Sequence, residues 1–171
     1  MEKIAARSIG WEDLSDDLRC AHEYWKSLTA ERIAPSWTSF DLSQCPSRLL
    51  PTTIVLDVIN GGGGYQFRFF GSGLVQAHGR EMTGYLVTEL PHKGLGDFLR
   101  KRFNAVVASK TFDFAEVGFE DQNGFHGLQR SGRWPLSDDG ERVSGIVSVI
   151  DMEISRREME EVVGGHDSAS D

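Results

Sequence analysis

The residues able to do chemistry in this chain are scattered. The carboxylates Glu81, Asp97, Glu116, Glu120 and Asp121 have no spacing that forces two of them into one acid–base site. Asp138 and Asp139 fall in a turn. His126 and His166 lack partners at metal-ligand spacing. Cys20 and Cys45 make no disulfide framework and point to a reducing compartment. Gly61 to Gly64 are four consecutive glycines. A phosphate cradle would need a helix opening with Lys-Ser/Thr after them, and none follows. No catalytic residue and no metal site is therefore assigned. Two arginines stand apart. Arg68 lies mid-strand among aromatics, and Arg80 opens a glycine-bounded turn. The Arg80 guanidinium either bonds loop carbonyls or a carboxylate such as Glu81 or Asp57, or it recognises an anion or ligand.

Composition narrows the classes. Hydrophobic residues make up 39% of 171, enough for one core, and the ten Phe and four Trp are a large aromatic load. Such residues fill a core or line a pocket for a planar or apolar ligand. A net charge of −8, from 18 basic and 26 acidic residues, disfavours nucleic acid and anionic membrane surfaces as partners. The first residues lack a signal-peptide core, and no apolar run approaches the ~20 residues of a membrane helix. A cytoplasmic protein is expected.

The elements that must position these groups follow from pattern. Residues 1–11 read as a flexible lead-in. From Glu12 to Ala30, the residues Leu14, Leu18, Ala21, Trp25 and Leu28 recur at helical spacing. This narrow stripe either lies on the chain's own domain or meets its twin in a dimer. Residues 31–51 read as a connector anchored by Trp37 and Phe40, with Asp41 or Ser43 capping a short turn. Thr52–Asn60 and Tyr65–Phe70 read as strands joined by the glycine turn. Alternation puts Tyr65, Phe67 and Phe69 on one face. Ser72–His78 is a short helix stopped by Gly79, and Tyr85–Leu90 is partly helical. Pro91–Gly96 reads as a loop, and Asp97 as the cap of a helix reaching Ser109. Three strands follow: Lys110–Phe119, Phe125–Leu136 with an interruption at Gly132, and Arg142–Met152. Turns at Asp121–Gly124 and Ser137–Gly140 join them. Ile154–Val163 reads as a charged helix and Gly164–Asp171 as a disordered tail, so the domain proper is 12–152 and the extension 153–171.

Two strands, a helical crossing and three strands make the order of a PAS domain. Local sequence adds to this. Phe67-Arg68-Phe69-Phe70-Gly71-Ser72, Gly79-Arg80-Glu81-Met82-Thr83-Gly84 and Trp134-Pro135-Leu136-Ser137-Asp138-Asp139-Gly140 resemble a family of bacterial stand-alone PAS-like proteins, as does the Tyr24-Trp25 pair ahead of them. The resemblance spans about residues 20–150. Ser72 and Met82 are mild departures from the Thr and Leu usual there. Arg130-Ser131-Gly132-Arg133-Trp134 is more polar than the family's apolar run, which implies a bulged sheet or a pocket of changed character.

The resemblance implies an α+β, PAS-like fold: a five-stranded antiparallel sheet, short helices over one face and an N-terminal helix, often with a cavity between sheet and helices. It implies a sensory or regulatory module, not an enzyme. Such a module binds a small apolar or planar ligand or a protein partner and signals through self- or hetero-association. The candidate lining is Tyr65, Phe67, Phe69, Leu74, Arg80, Phe98, Phe103, Phe112, Phe114 and Trp134. The candidate dimer stripe is Leu14, Leu18, Ala21, Trp25 and Leu28. The cofactor is unknown. Haem is disfavoured because His78 and His92, its only positional ligands, sit by a glycine turn and in a proline-flanked loop. A flavin photosensor is disfavoured because both cysteines precede the first core strand. A closed-core dimerisation module is the alternative. A small cone-like α+β enzyme would need convergent carboxylates or histidines in the cavity.

Overall fold

A computed structural model describes residues 3–120 and 126–152. The expected turn at Asp121–Gly124, the helix at Ile154–Val163, the tail Gly164–Asp171, Asp121 and His166 lie outside the described residues. Within them, one antiparallel sheet has six strands: β1 (Lys3–Ser8), β2 (Thr53–Ile59), β3 (Gly64–Phe70), β4 (Asp113–Glu120), β5 (His126–Leu136) and β6 (Gly145–Asp151). Their spatial order is β1-β4-β5-β6-β2-β3. Helices α1 (Asp16–Ser27), α2 (Ser72–His78) and α3 (Lys93–Ser109) complete the frame, with short 3-10 segments of three to six residues besides. Strands β2 to β6 and their helical crossing follow the order that the resemblance implies. β1 is the difference. Residues read as a lead-in pair with β4 from Lys3–Glu120 to Ser8–Ala115 and add a sixth strand.

Both faces of the sheet are covered. On one face, Leu14, Leu18, Ala21 and Trp25 pack with Val55, Phe114, Trp134, Leu136, Val147 and Val149. On the other, Leu74 of α2 and Phe103 and Val106 of α3 pack with Ile54, Leu56, Tyr65, Phe67, Phe70 and Ile146. Strands β2 and β6 send alternate residues into each core. Burying each of the larger side chains stabilises the fold by about 2–3 kcal/mol.

Three local features depart from the sequence reading, each with a cause. Pairing steps from Val55–Phe69 to Leu56–Phe67, which leaves Arg68 as a bulged residue. One extra residue reverses the alternation, so Phe69 joins the α1 face and Phe70 takes the place expected of it. Helix α3 starts at Lys93, with His92 as its cap, and Asp97 lies inside it. Gly96, read as loop, is buried there, and a Cβ on it would sit 3.1 Å from the Val87 carbonyl oxygen. It serves close packing rather than helix termination. Finally, β5 runs unbroken through Gly132. A Cβ at Gly132 would come within 2.4 Å of the Trp134 ring, so the glycine makes room for the indole.

Other turns match their residues. Gly61 and Gly62 take positive φ in the β2–β3 hairpin, and Gly79 ends α2 at φ 71°. Asp41 caps its 3-10 turn by accepting from the Ser43 amide at 2.9 Å.

Candidate functional site

The ten candidate lining residues do not share one cavity. Tyr65, Phe67, Leu74 and Phe103 meet in the core beneath α2 and α3, with Tyr65 and Phe103 centroids 5.3 Å apart. Phe98 is only half-buried on α3. Phe114 and Trp134 lie across the sheet, in the core beneath α1, where Phe69 also packs. Phe112 is exposed and its ring stands 4.5 Å from that of His22. Strand alternation separates these sets: Phe114 pairs with Gly132 and Trp134 with Val147 on the α1 face, while the intervening residues point to α3.

Arg80 lies outside both cores. It is exposed, and its guanidinium stacks on Tyr85 at 4.2 Å from the ring centroid. The carboxylates expected to hold it are engaged elsewhere. Asp57 accepts from Arg68 at 2.8 and 2.6 Å. Glu81 accepts from the hydroxyl and amide of Thr83 at 2.7 and 2.8 Å, and these bonds lower its pKa.

The remaining candidates separate as well. His78 and His92 are brought together, with ring centroids 6.4 Å apart. Among the described residues, no three His, Cys, Asp or Glu side chains could hold a metal ion. Glu116 is buried and bonds Arg7 at 2.7 Å and Arg130 at 3.1 Å, tying β1, β4 and β5 together. Asp139 accepts from the amides of Arg142 and Glu141 and from the Arg142 guanidinium, which together hold its carboxyl well below the usual range. Burial pushes the Cys45 thiol up to about 11. An open groove of about 650 Å³ runs along the outer end of α2, with Leu50, Pro51, Phe69, Phe70 and Val75 in its wall. A second, of about 300 Å³, lies by Leu90, Lys93 and Asp97.

The polar run at 130–134 resolves, with Pro135, into a two-sided device. Arg133 is fully buried on the α3 side and donates Nη1 to Asp113 at 3.2 Å. Arg102 of α3 donates Nη2 to both oxygens of the same carboxylate, at 2.6 and 2.7 Å. Burial lowers the Arg133 pKa to about 10 against the raising effect of Asp113. The next residue, Trp134, faces α1, and the backbone after it also reaches that helix. The Trp134 indole donates to His22 Nδ1 at 3.0 Å, and the Pro135 carbonyl accepts from the Trp25 indole at 2.8 Å. Three consecutive residues of β5 thus hold α3 on one face and α1 on the other.

The dimer stripe is used within the chain. Leu14, Leu18, Ala21 and Trp25 are buried against the sheet and Leu28 packs beside them. The end of α1 is held separately. Ser15 bonds the fully buried Asp151, which also accepts from Arg48 Nη1 at 2.9 Å, and Arg48 Nε reaches Asp17 at 2.6 Å. No sequence spacing marks this four-residue cluster, because its members come from α1, the connector and the end of β6.

No family model matches the chain, and no curated protein does. Solved structures with a similar path include the PAS domain of a protein from Colwellia psychrerythraea. It is 16% identical with a TM-score of 0.42, over 61% of this chain and 86% of that one. The LOV domain of the blue-light photoreceptor aureochrome1 is 10% identical with a TM-score of 0.43, over 65% and 92%. The VqmA–ligand–DNA complex of Vibrio cholerae gives 12% and 0.48, over 72% and 56%. Identities this low leave ligand and activity to be argued from this chain's own residues. No helix among the described residues is long and apolar enough to cross a membrane.

Proposed function

We propose that this protein is a cytoplasmic regulatory module in which a change beneath α3 alters the docking of α1 and, through it, association with a second copy or a signalling partner. The observation that carries the reading is the adjacency of Arg133, Trp134 and Pro135. The first engages the helical crossing through Asp113 and Arg102, and the next two bind α1 directly. A rigid strand cannot rotate one of these residues without disturbing its neighbours, so the two faces share one set of backbone torsions. The likeness to bacterial stand-alone PAS-like proteins supports a sensory role, and a small ligand or a protein partner would supply the signal. Self-association through Leu14, Leu18, Ala21, Trp25 and Leu28 requires α1 to leave the sheet. Undocking of α1 is therefore the event that the reading needs.

The test is hydrogen exchange over residues 16–27 together with native mass spectrometry, on protein isolated with its cellular small molecules and on protein stripped of them. Release of the small molecules is expected to change α1 protection and subunit count together. Identical protection and identical mass in both preparations would refute the reading. A second reading, a closed interaction module without a ligand, is favoured by one observation. Tyr65, Phe67, Met82, Phe103 and Val106 are all fully buried beneath the helical crossing, and they leave the open groove outside it. Its mark would be a stable complex with no retained small molecule and unchanging α1 protection.

A further inference from the structure

We infer that Arg133 and Arg102, beneath α3, form a binding site for a small anion that presents a carboxylate or phosphate group. This assignment rests on the regulatory reading above and names its ligand class. Two guanidinium groups share one carboxylate, Asp113, so the cluster carries one excess positive charge. Arg133 is only 2% exposed. A buried charge that is incompletely paired is costly, and natural cores complete the pairing. Here both arginines meet Asp113 through a terminal nitrogen: Nη2 of Arg102 and Nη1 of Arg133. The Nε–H of each is buried, and among the described residues neither finds an acceptor. Two N–H donors of like charge, shielded from water, need an acceptor that also brings negative charge. The fork formed by Nε–H and a terminal N–H binds planar carboxylate or phosphate oxygens in two-point fashion. Arg102 and Asp113 keep 19% and 18% of their side-chain surface open, so the cluster reaches solvent along the flank of α3. Entry of an anion there would draw Arg133 toward α3. Because Trp134 and Pro135 follow it in the strand, the same movement would load the contacts that hold α1.

The full chain would be titrated with sodium acetate, sodium succinate and inorganic phosphate, each against sodium chloride at matched ionic strength. The readout is the arginine Nε–H resonances by NMR. The Nε–H signals of Arg102 and Arg133 should shift saturably with a carboxylate or with phosphate and stay put in chloride. The arm with the lower half-saturation identifies the headgroup. Arg102→Met should weaken binding by about tenfold or more, whereas Arg80→Ala should leave it unchanged. Arg133→Met should act as Arg102→Met does. If it fails to fold, the parent titration and Arg102→Met still decide the matter. Unmoved Nε–H signals in all three anions, or equal shifts in Arg102→Met and the parent, would overturn the site. If α1 protection still responded to cellular small molecules, only the anion assignment would fall. If the signals saturated while α1 never responded, the site would stand and the regulatory reading would fall.

Discussion

Gly132 and Trp134 show how a residue's role depends on its neighbour two positions along a strand. Read alone, Gly132 marks a break. In the fold it is the space into which the Trp134 indole lies. That indole is buried and bonded to His22, so it cannot swing away from an added methyl group. Gly132→Ala should destabilise the protein by about 2 kcal/mol through overpacking, measured as a lower urea midpoint with an unchanged slope. The two cysteines give a second prediction at this scale. Cys20 is exposed, while Cys45 is buried with its pKa pushed up to about 11 by desolvation. Thiolate is the reactive form, so near pH 8 a thiol reagent should modify one cysteine rapidly in the native protein and the second only on unfolding. Two rapid equivalents would show that the connector around Cys45 opens readily. Arg80 was legible as an unusual residue but not as an exposed one. Its ring partner, Tyr85, follows the turn that Arg80 opens, and nothing in the spacing shows that Asp57 is taken by Arg68.

Helix α1 docks on the sheet through a buried, titratable ring. His22 sits among Trp25, Phe112, Phe114 and Trp134 and accepts the Trp134 proton on Nδ1, so its own proton is on Nε2. Burial lowers its folded-state pKa below the ordinary 6.5, opposed by Glu23 and assisted by Lys26. The unfolded chain therefore takes up a proton below pH 6.5 while the folded chain resists it. The stability conferred by the neutral ring is complete above pH 6.5 and is lost as pH falls through the lowered folded value. Urea midpoints should drop between pH 7.5 and 5. His22→Gln can still accept from Trp134 but cannot titrate, and it should flatten that slope; an unchanged slope would assign it to other groups. At the other end of α1, Asp151→Asn leaves Ser15 a partner but removes one of the two carboxylates that neutralise Arg48. The expected cost is about 2 kcal/mol, less than for a fully buried pair because Arg48 is partly exposed, with the loss of protection concentrated in the first turn of α1. Elements set by local chemistry were readable from sequence: the Gly61–Gly64 hairpin, the stop of α2 at Gly79, and the Ser137–Gly140 turn. Elements set by tertiary contact were not. The start of α3 depends on Gly96 meeting Val87, and the reversal at Phe69 depends on the bulge at Arg68.

At the scale of the molecule, the order of strands was legible but the division of the cores was not. Aromatic count and alternation give two faces without saying that both are covered. Phe114 and Trp134 were therefore expected beside Tyr65, with the sheet in fact lying between them. β1 is not legible in the sequence for a related reason. Lys3-Ile4-Ala5-Ala6-Arg7-Ser8 has little apolar alternation, because an edge strand needs only backbone pairing on one side and tolerates charge on the other. Its position makes a prediction about the whole assembly. The opposite edge, β3, is closed by the chain itself: Phe67 donates its amide to Tyr85 at 2.9 Å and accepts from Gly84 at 2.7 Å. β1 does the same service for β4, an eight-residue strand that would otherwise present a long free edge. It adds a charge tie, since Arg7 is one of the two arginines that neutralise buried Glu116. Deleting residues 1–8 removes both, leaving β4 open to pairing with another copy. The truncated chain should show a light-scattering mass that rises with concentration above that of the intact chain, with Arg7→Ala alone producing no such rise. If the truncated protein kept the intact mass at every concentration, the strand would be an ornament of the sheet rather than its guard.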